Sequence, residues 1–261
     1  MNTALVSADF SPFTKRDLSI LKQLHSKYRR IGILLENADE HKQKIVELSI
    51  RPFRYLFLAD KNSKGEKVEC SQLGKGLSYP DFRELTNKAA EYCLDRVLYV
   101  DEIARKELSK DRYEHVKAVA MLSARLAEHY GIGFNRGLLA GYLHDITKEW
   151  DKEKQKKFTL AFFPEQEKNS PKIYHQFSAE IVAGHMFQIR DRRILDAIGH
   201  HTTGDDRKTL SRIVYCADKC DDTREFNYRD YMQELCFRNL EEAFAFIYAE
   251  QRKHIEESIH E

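Results

Sequence analysis

Small and apolar residues recur at steps of three and four through the middle of the chain: Val116, Val119, Ala120, Ser123, Leu126, Ala127 and Tyr130. Gly131 follows as a C-terminal stop. This spacing predicts a helix with one buried stripe. Asn135 is expected to cap the next helix, whose apolar run Leu138 to Ile146 carries His144 and Asp145. Ser170-Pro171 precedes a helix holding Ala179, Val182, Ala183 and Met186. Ile194, Ile198 and His201 fall at steps of four and three, which places His201 on the apolar face of its helix. Val214 and Asp218 are four apart, so Asp218 sits beside an inward-facing residue. Lys152 to Lys157 reads as a solvated helix face, and Leu240 to Ile255 as a closing amphipathic helix.

Before this region the pattern is different. Arg30 to Leu35 and Arg54 to Ala59 read as short buried strands, Asp17 to Tyr28 as a helix, and Lys61 to Lys67 as a polar loop or hairpin turn. Strand signals fade from Tyr79 onward. The expected organisation is a small α/β segment over 1–100 and an all-α helical bundle over 101–261, mainly α in class.

Composition narrows the functions. In 261 residues, 42% are hydrophobic and 33% charged, with a net charge of +1, which gives no electrostatic case for nucleic acid or an anionic membrane as partner. No run of 18 apolar residues exists, and Met1 to Val6 is too short for a signal-peptide core, so a cytoplasmic protein is expected. Five cysteines lack zinc-ribbon spacing. Cys216 and Cys220, four apart on a predicted helix, read as small buried hydrophobes rather than a metal or redox site.

The candidate chemistry lies in His115, His144, Asp145, His175, His201 and Asp218, each on or beside the buried stripe of a predicted helix. Burying an imidazole beside a carboxylate costs free energy unless both have partners, and a divalent metal is a strong partner for each. Packed helices can aim such residues at one interior point. Any one of these histidines alone reads as a hydrogen-bonded core residue; the six together read as a metal centre suited to iron, manganese, cobalt or zinc. Asp145 is placed to bridge two metals or to hold a water. His200 adjoins His201 but faces another direction, which leaves a supporting or second-metal role open. His25, His41, His129, His185, His254 and His260 read as surface or packing residues.

The order His, His-Asp, His, His, Asp resembles the HD-domain phosphohydrolase superfamily. Within it, Arg112-Tyr113-Glu114-His115-Val116, Leu139 to Lys148, His200 to Gly204 and Ala217-Asp218 resemble the YqeK family, over about residues 108 to 255. The resemblance implies symmetrical hydrolysis of diadenosine tetraphosphate to two ADP. It implies one or two divalent transition metals, typically iron, held by His115, His144, Asp145, His175, His201 and Asp218. Asp145, His144 and Lys148 are the implied catalytic residues, and Lys148, Thr202, Thr203, Lys219 and Arg224 the candidate phosphate contacts. A homodimer is expected by analogy. Lys219 to Arg224 lacks the proline usual after the last ligand, which bears on substrate contacts and not on the metal site. The alternatives are an HD nucleotidase or phosphodiesterase on another nucleotide, or a nucleotide-binding regulatory protein.

Ser7 to Leu18 aligns with Gly-Gly-x-Phe-Asp-Pro-x-His-x-Gly-His-Leu of nicotinate-mononucleotide adenylyltransferases. Phe10, Pro12 and Leu18 match, whereas Ser7 and Ala8 replace the glycines and Thr14 and Asp17 the histidines. Leu77 to Glu84 is similar to a decayed form of that family's Ile-Ser-Ser-Thr-x-Ile-Arg motif. The expectation is a shrunken Rossmann-like remnant without transferase activity; the alternative is an unrelated small α/β cap.

Overall fold

The computed structural model describes residues 2–75 and 81–260, with 254–260 described by their backbone alone. Leu77, Ser78, Tyr79 and Pro80 of the decayed motif, and the side chains of His254 and His260, lie outside the described residues. The chain forms two compact units, one running to Arg96 and taking in Met186–Gln188, the other made of the remainder from Val97 onward.

The first unit alternates strand and helix: β1 (Thr3–Ala8), α1 (Lys15–Leu24), β2 (Arg30–Leu35), α2 (Glu40–Ile50), β3 (Leu56–Leu58), β4 (Glu66–Lys67) and α3 (Asn87–Asp95). All pairings are parallel, in the order β3-β2-β1-β4, with Thr3 opposite Arg30 and Ala8 opposite Leu35. β1 is flanked on both edges, and Ala4, Val6, Ile31 and Ile33 are wholly buried, as inner strands of a parallel sheet require. The topology is Rossmann-like, reversing direction at β1. Two expectations change here. Glu66 and Lys67, read as loop or hairpin, pair with Ala4 and Leu5 as a parallel strand, because β1 offers them an open edge. The first helix begins at Lys15 rather than Asp17, because Thr14 caps it: its hydroxyl accepts from the Asp17 N–H while Asp17 accepts from the Thr14 N–H at 2.9 Å. Asp17 also accepts from the Gly74 N–H at 3.0 Å. A buried acid here holds its own chain.

The second unit is helical among the described residues: α4 (Val100–Glu107), α5 (Lys110–His129), α6 (Phe134–Leu143), α7 (Lys152–Phe162), α8 (Tyr174–His185), α9 (Arg192–Gly199), α10 (Thr209–Cys220), α11 (Arg229–Arg238) and α12 (Leu240–His260). α5 and α6 form its tightest pair. A Cβ on Gly141 would lie 2.3 Å from Ala120 Cα, and one on Gly137 would lie 2.3 Å from Ser123 O, so only glycine allows this approach.

Several helix ends differ from the periodicity. Asn135 is not the cap of α6. Gly133 is, at φ 105°, and the Phe134 N–H donates to Glu128 Oε2 at 2.8 Å, so a side chain from α5 takes the capping role. α6 stops at Leu143, leaving His144 as its last cap and Asp145 in the turns beyond. α8 ends at His185, before Met186. α9 ends at Gly199, so His201 lies past the helix rather than on its face. The five cysteines are unbridged, and Cys216, Cys220 and Cys236 are wholly buried, the Cys220 thiol donating to the Cys216 carbonyl at 3.1 Å. Among the described residues, no helix is long and apolar enough to cross a membrane.

Candidate metal centre

Helix ends deliver most of the site. His115 stands in the second turn of α5, and His144-Asp145 follows α6. His175 opens α8, His201-Thr202 follows α9, and Asp218 sits in the last turn of α10. All six candidate ligands are buried. Two of the histidines are aimed by their own helices: Nδ1 of His144 donates to the Gly141 carbonyl (2.6 Å), and Nδ1 of His201 to the Ile198 carbonyl (2.7 Å). His115 is aimed by a carboxylate, with Nδ1 3.2 Å from Asp221 Oδ2. Each ring therefore turns its Nε2 inward.

There the atoms converge. Asp145 Oδ1 lies 3.3 Å from His201 Nε2 and 3.4 Å from His175 Nε2. His144 Nε2 stands between the carboxylates, 3.7 Å from Asp145 and 3.6 Å from Asp218, and His115 Nε2 is 3.1 Å from Asp218. Three triads have ligand atoms within 4.8 Å of one another: His115-His144-Asp145, His144-His201-Asp218 and Asp145-His175-His201. His115 Nε2, His144 Nε2 and Asp145 Oδ1 are buried without a well-formed hydrogen bond, a costly state for three polar atoms aimed at one point. The donor set and these orphaned atoms fit a divalent cation.

Protonation agrees with that fit. Burial opposes charge on Asp145 and Asp218, yet both are held well below the ordinary carboxylate range. Asp145 is held there by the charges of His144 and His201, and Asp218 by Lys219 together with His115 and His144. Burial, with the charge of His201, pushes His175 down to about 3, and burial also lowers His201. Burial works against charge on His115 as well, but Asp218 and Asp221 outweigh it and lift the ring to about 9. Ionised carboxylates beside the neutral rings of His175 and His201 are the states in which such groups bind metal, whereas His115 holds a proton that it must give up to ligate.

The other nominated residues divide. Lys148 enters the centre, its Nζ 2.8 Å from His175 Nε2 and 3.8 Å from Asp145 Oδ1. Thr202 Oγ1 lies 2.9 Å from His175 Nε2 and 3.1 Å from His201 Nε2. Lys219 pairs with Asp218, and Arg224 Nη2 lies 3.3 Å from the same carboxylate. Thr203 and His200 instead turn to Asp205, at 2.6 Å each, away from the cluster. Three participants escaped the sequence reading. Arg112 Nη1 is 3.0 Å from Asp145 Oδ2. Asp221, wholly buried, backs His115 and accepts from Arg224 Nε at 3.1 Å. Gln176 Oε1 accepts the N–H groups of Thr202 and Thr203, at 3.1 and 3.2 Å, and pins the segment after His201 to α8. Each follows or precedes a ligand by one to three residues, the one local signal available.

Comparison with known proteins points the same way. Residues 112–223 match the HD domain family. The symmetrical bis(5'-nucleosyl)-tetraphosphatase of Bacillus subtilis is 27% identical over 147 residues, covering 53% of this chain and 76% of its own length. That of Staphylococcus aureus is 28% identical over 138 residues, covering 52% and 71%. A probable nicotinate-nucleotide adenylyltransferase/Ap4A hydrolase of Mycoplasma genitalium is 24% identical over 152 residues, covering 58% of this chain and 43% of its own length. A crystal structure from Clostridium acetobutylicum, described as a predicted HD superfamily hydrolase involved in NAD metabolism, superposes with a TM-score of 0.56. Its identity is 25%, and the match covers 61% of this chain and 86% of that one. The likeness to the HD domain family thus falls on the segment, residues 112–223, that holds all six buried candidate ligands.

Proposed function

We propose that the chain hydrolyses dinucleoside tetraphosphates, splitting diadenosine tetraphosphate with water into two ADP. The convergence of His115, His144, Asp145, His175, His201 and Asp218 carries this reading. These six would hold one or two divalent transition metals; iron is the first expectation, and the same donors suit manganese, cobalt and zinc. Such a metal, when bound, makes water more acidic and polarises a phosphoryl oxygen. Asp145 stays ionised in its buried site and can accept a hydrogen bond from the attacking water, orienting it toward phosphorus. His144 holds its position between the two carboxylates. Lys148 brings a positive charge to the edge of the cluster, where it can offset charge gathering on the phosphoryl oxygens. The names of the Bacillus and Staphylococcus relatives support this substrate.

We read the first unit, approximately residues 1–100, as a Rossmann-like remnant without transferase activity. Asp17 and Thr14, at the positions matching the family's two histidines, are occupied with capping α1 and holding Gly74. One experiment tests both readings. The full chain is purified anaerobically, its metal content measured, and the same sample incubated with diadenosine tetraphosphate, other nucleotides, and ATP with nicotinate mononucleotide. ADP as sole product from the tetraphosphate, with metal present and no adenylyl transfer, is the expected result. A metal-loaded sample that leaves the tetraphosphate intact overturns the substrate.

Asp221 supplies a further expectation. A carboxylate behind a ligating imidazole fixes its tautomer and raises its basicity, and losing such a partner typically costs about 10- to 100-fold in metal affinity. Asp221→Asn is expected to weaken metal binding by that margin in a chelator competition, with the helical circular dichroism unchanged. Unaltered affinity would show that His115 needs no such support.

A further inference from the structure

Four cations ring the centre in a repeated arrangement. Asp145 holds Arg112 through Oδ2 and Lys148 through Oδ1; Asp218 holds Lys219 through Oδ2 and Arg224 through Oδ1. Each carboxylate thus carries one guanidinium and one ammonium. The carboxylate side chains are only 3% and 10% exposed, whereas Arg112, Lys148 and Arg224 are 31%, 34% and 41% exposed. Arg112, Lys148 and Arg224 therefore form an outer layer that solvent reaches, with Lys219, 15% exposed, set deeper beside Asp218. They arrive from separate elements: Arg112 from α5, Lys148 from the turns after α6, Lys219 from the end of α10 and Arg224 from the segment beyond it. His144 joins the two carboxylates, 3.7 Å from one and 3.6 Å from the other, so the two pairs flank one central point.

We propose that these two arginine–lysine pairs hold the two halves of a linear polyphosphate, two phosphates on each side of the bond that is cut, and that Arg112 is a specificity-determining residue. The inference rests on the hydrolytic reading above and deepens it. A tetraphosphate bridge carries roughly one negative charge per phosphate, and four cations match that number. An arginine fork binds phosphate through two parallel N–H donors while a lysine adds a point charge, so each pair can both orient and neutralise a diphosphate. Equivalent pairs at either end leave the central P–O–P bond over the buried carboxylates. Water adds to one of its phosphorus atoms, the bridging oxygen leaves with the other half, and two nucleoside diphosphates result. The pairs act as a ruler: the cut falls where each side retains at least two phosphates.

The test uses the metal-loaded full chain with diadenosine tri-, tetra- and pentaphosphate, alongside Arg112→Ala, Arg112→Lys and Arg224→Ala, with metal content measured throughout. The wild type is expected to give ADP from the tetraphosphate, ADP with ATP from the pentaphosphate, and little from the triphosphate, which cannot place two phosphates on both sides. Either alanine variant is expected to raise KM for the tetraphosphate about tenfold or more, with a smaller change in kcat. Calorimetry is expected to show weaker ADP binding, and Arg112→Lys to recover only part of it. A wild type that cleaves the tetraphosphate while Arg112→Ala keeps its KM and ADP affinity, or one that cleaves the triphosphate equally well, overturns the inference. A wild type that cleaves none of the three overturns the hydrolytic reading itself, and the inference with it.

Discussion

Asp145→Ala is expected to lose at least about 10³-fold in turnover of diadenosine tetraphosphate and most of its bound metal, because metal-derived stabilisation of a phosphoryl transition state is worth several kcal/mol. No other residue has as many stakes in the centre. Its Oδ1 faces His175 and His201, its Oδ2 faces His144 and Arg112, and Lys148 approaches from outside. Removing it leaves imidazoles and two cations facing one another with one fewer negative charge. Stability of the metal-free chain is therefore expected to fall too, by about 3–5 kcal/mol, the usual consequence of breaking a buried ion pair by deleting one partner. Asp145→Asn separates the two effects. It keeps the shape and removes the charge, so it should keep more of the fold while still losing metal and turnover. Metal analysis, denaturant unfolding and product chromatography on the three proteins check this. A variant that hydrolyses normally would remove Asp145 from the chemistry. A wild type that never turns over, with an Asp145→Ala variant that keeps its nucleotide binding, would favour a nucleotide-binding regulatory role.

That such a residue stands out in the amino-acid sequence has a physical reason. His144-Asp145 interrupts an apolar run, and a polar pair in such a run is buried at a cost that some partner must offset. The same reasoning singles out His115, His175, His201 and Asp218, and the structure brings all six together. It fails for groups whose role is created by distant contacts. Arg112 meets a carboxylate 33 residues away, and its place three residues before His115 is the one local hint of this. Gln176 looks like an ordinary polar residue beside His175, yet it is buried and holds two successive backbone N–H groups from beyond α9. Thr203, nominated for its place beside Thr202, turns to Asp205 because its hydroxyl finds a nearer acceptor there.

The fold shows the same division. Regular periodicity located most helices of the second unit, whereas their ends depended on chemistry outside the periodic signal: Glu128 reaching the Phe134 N–H displaced Asn135 as cap, and α9 stopped before His201. In the first unit β1 passed only as a stretch too short for a leader peptide, although it is the strand that the sheet is built around. A six-residue buried parallel strand has no alternation to distinguish it. Glu66 and Lys67 became a strand purely because an edge was available.

The glycines of α6 connect that packing to the centre, and Gly141→Ala is the second large effect expected. Its Cβ would lie 2.3 Å from Ala120 Cα and 2.8 Å from Ala120 N, which are backbone atoms of a neighbouring helix and cannot rotate aside. α6 must then move outward from α5. Overpacking of this kind costs about 1–3 kcal/mol, and more where backbone must shift; in a protein of this size that corresponds to a fall in Tm of roughly 2–12 °C. The functional consequence follows from what the two helices carry. α5 bears His115 and Arg112, and α6 delivers His144, whose Nδ1 is bonded to the Gly141 carbonyl itself. Separating the helices by even a fraction of an ångström shifts His144 relative to His115, so metal affinity is expected to drop at least about tenfold, beyond what the loss of stability explains. Ala120→Gly added to Gly141→Ala should not restore the site, since the clash is with the Ala120 backbone rather than its methyl group. Thermal unfolding and chelator competition on the single and double variants decide the point. Full metal affinity in Gly141→Ala would mean that the α5–α6 contact does not position the ligands, and recovery on adding Ala120→Gly would place the clash at the side chain instead.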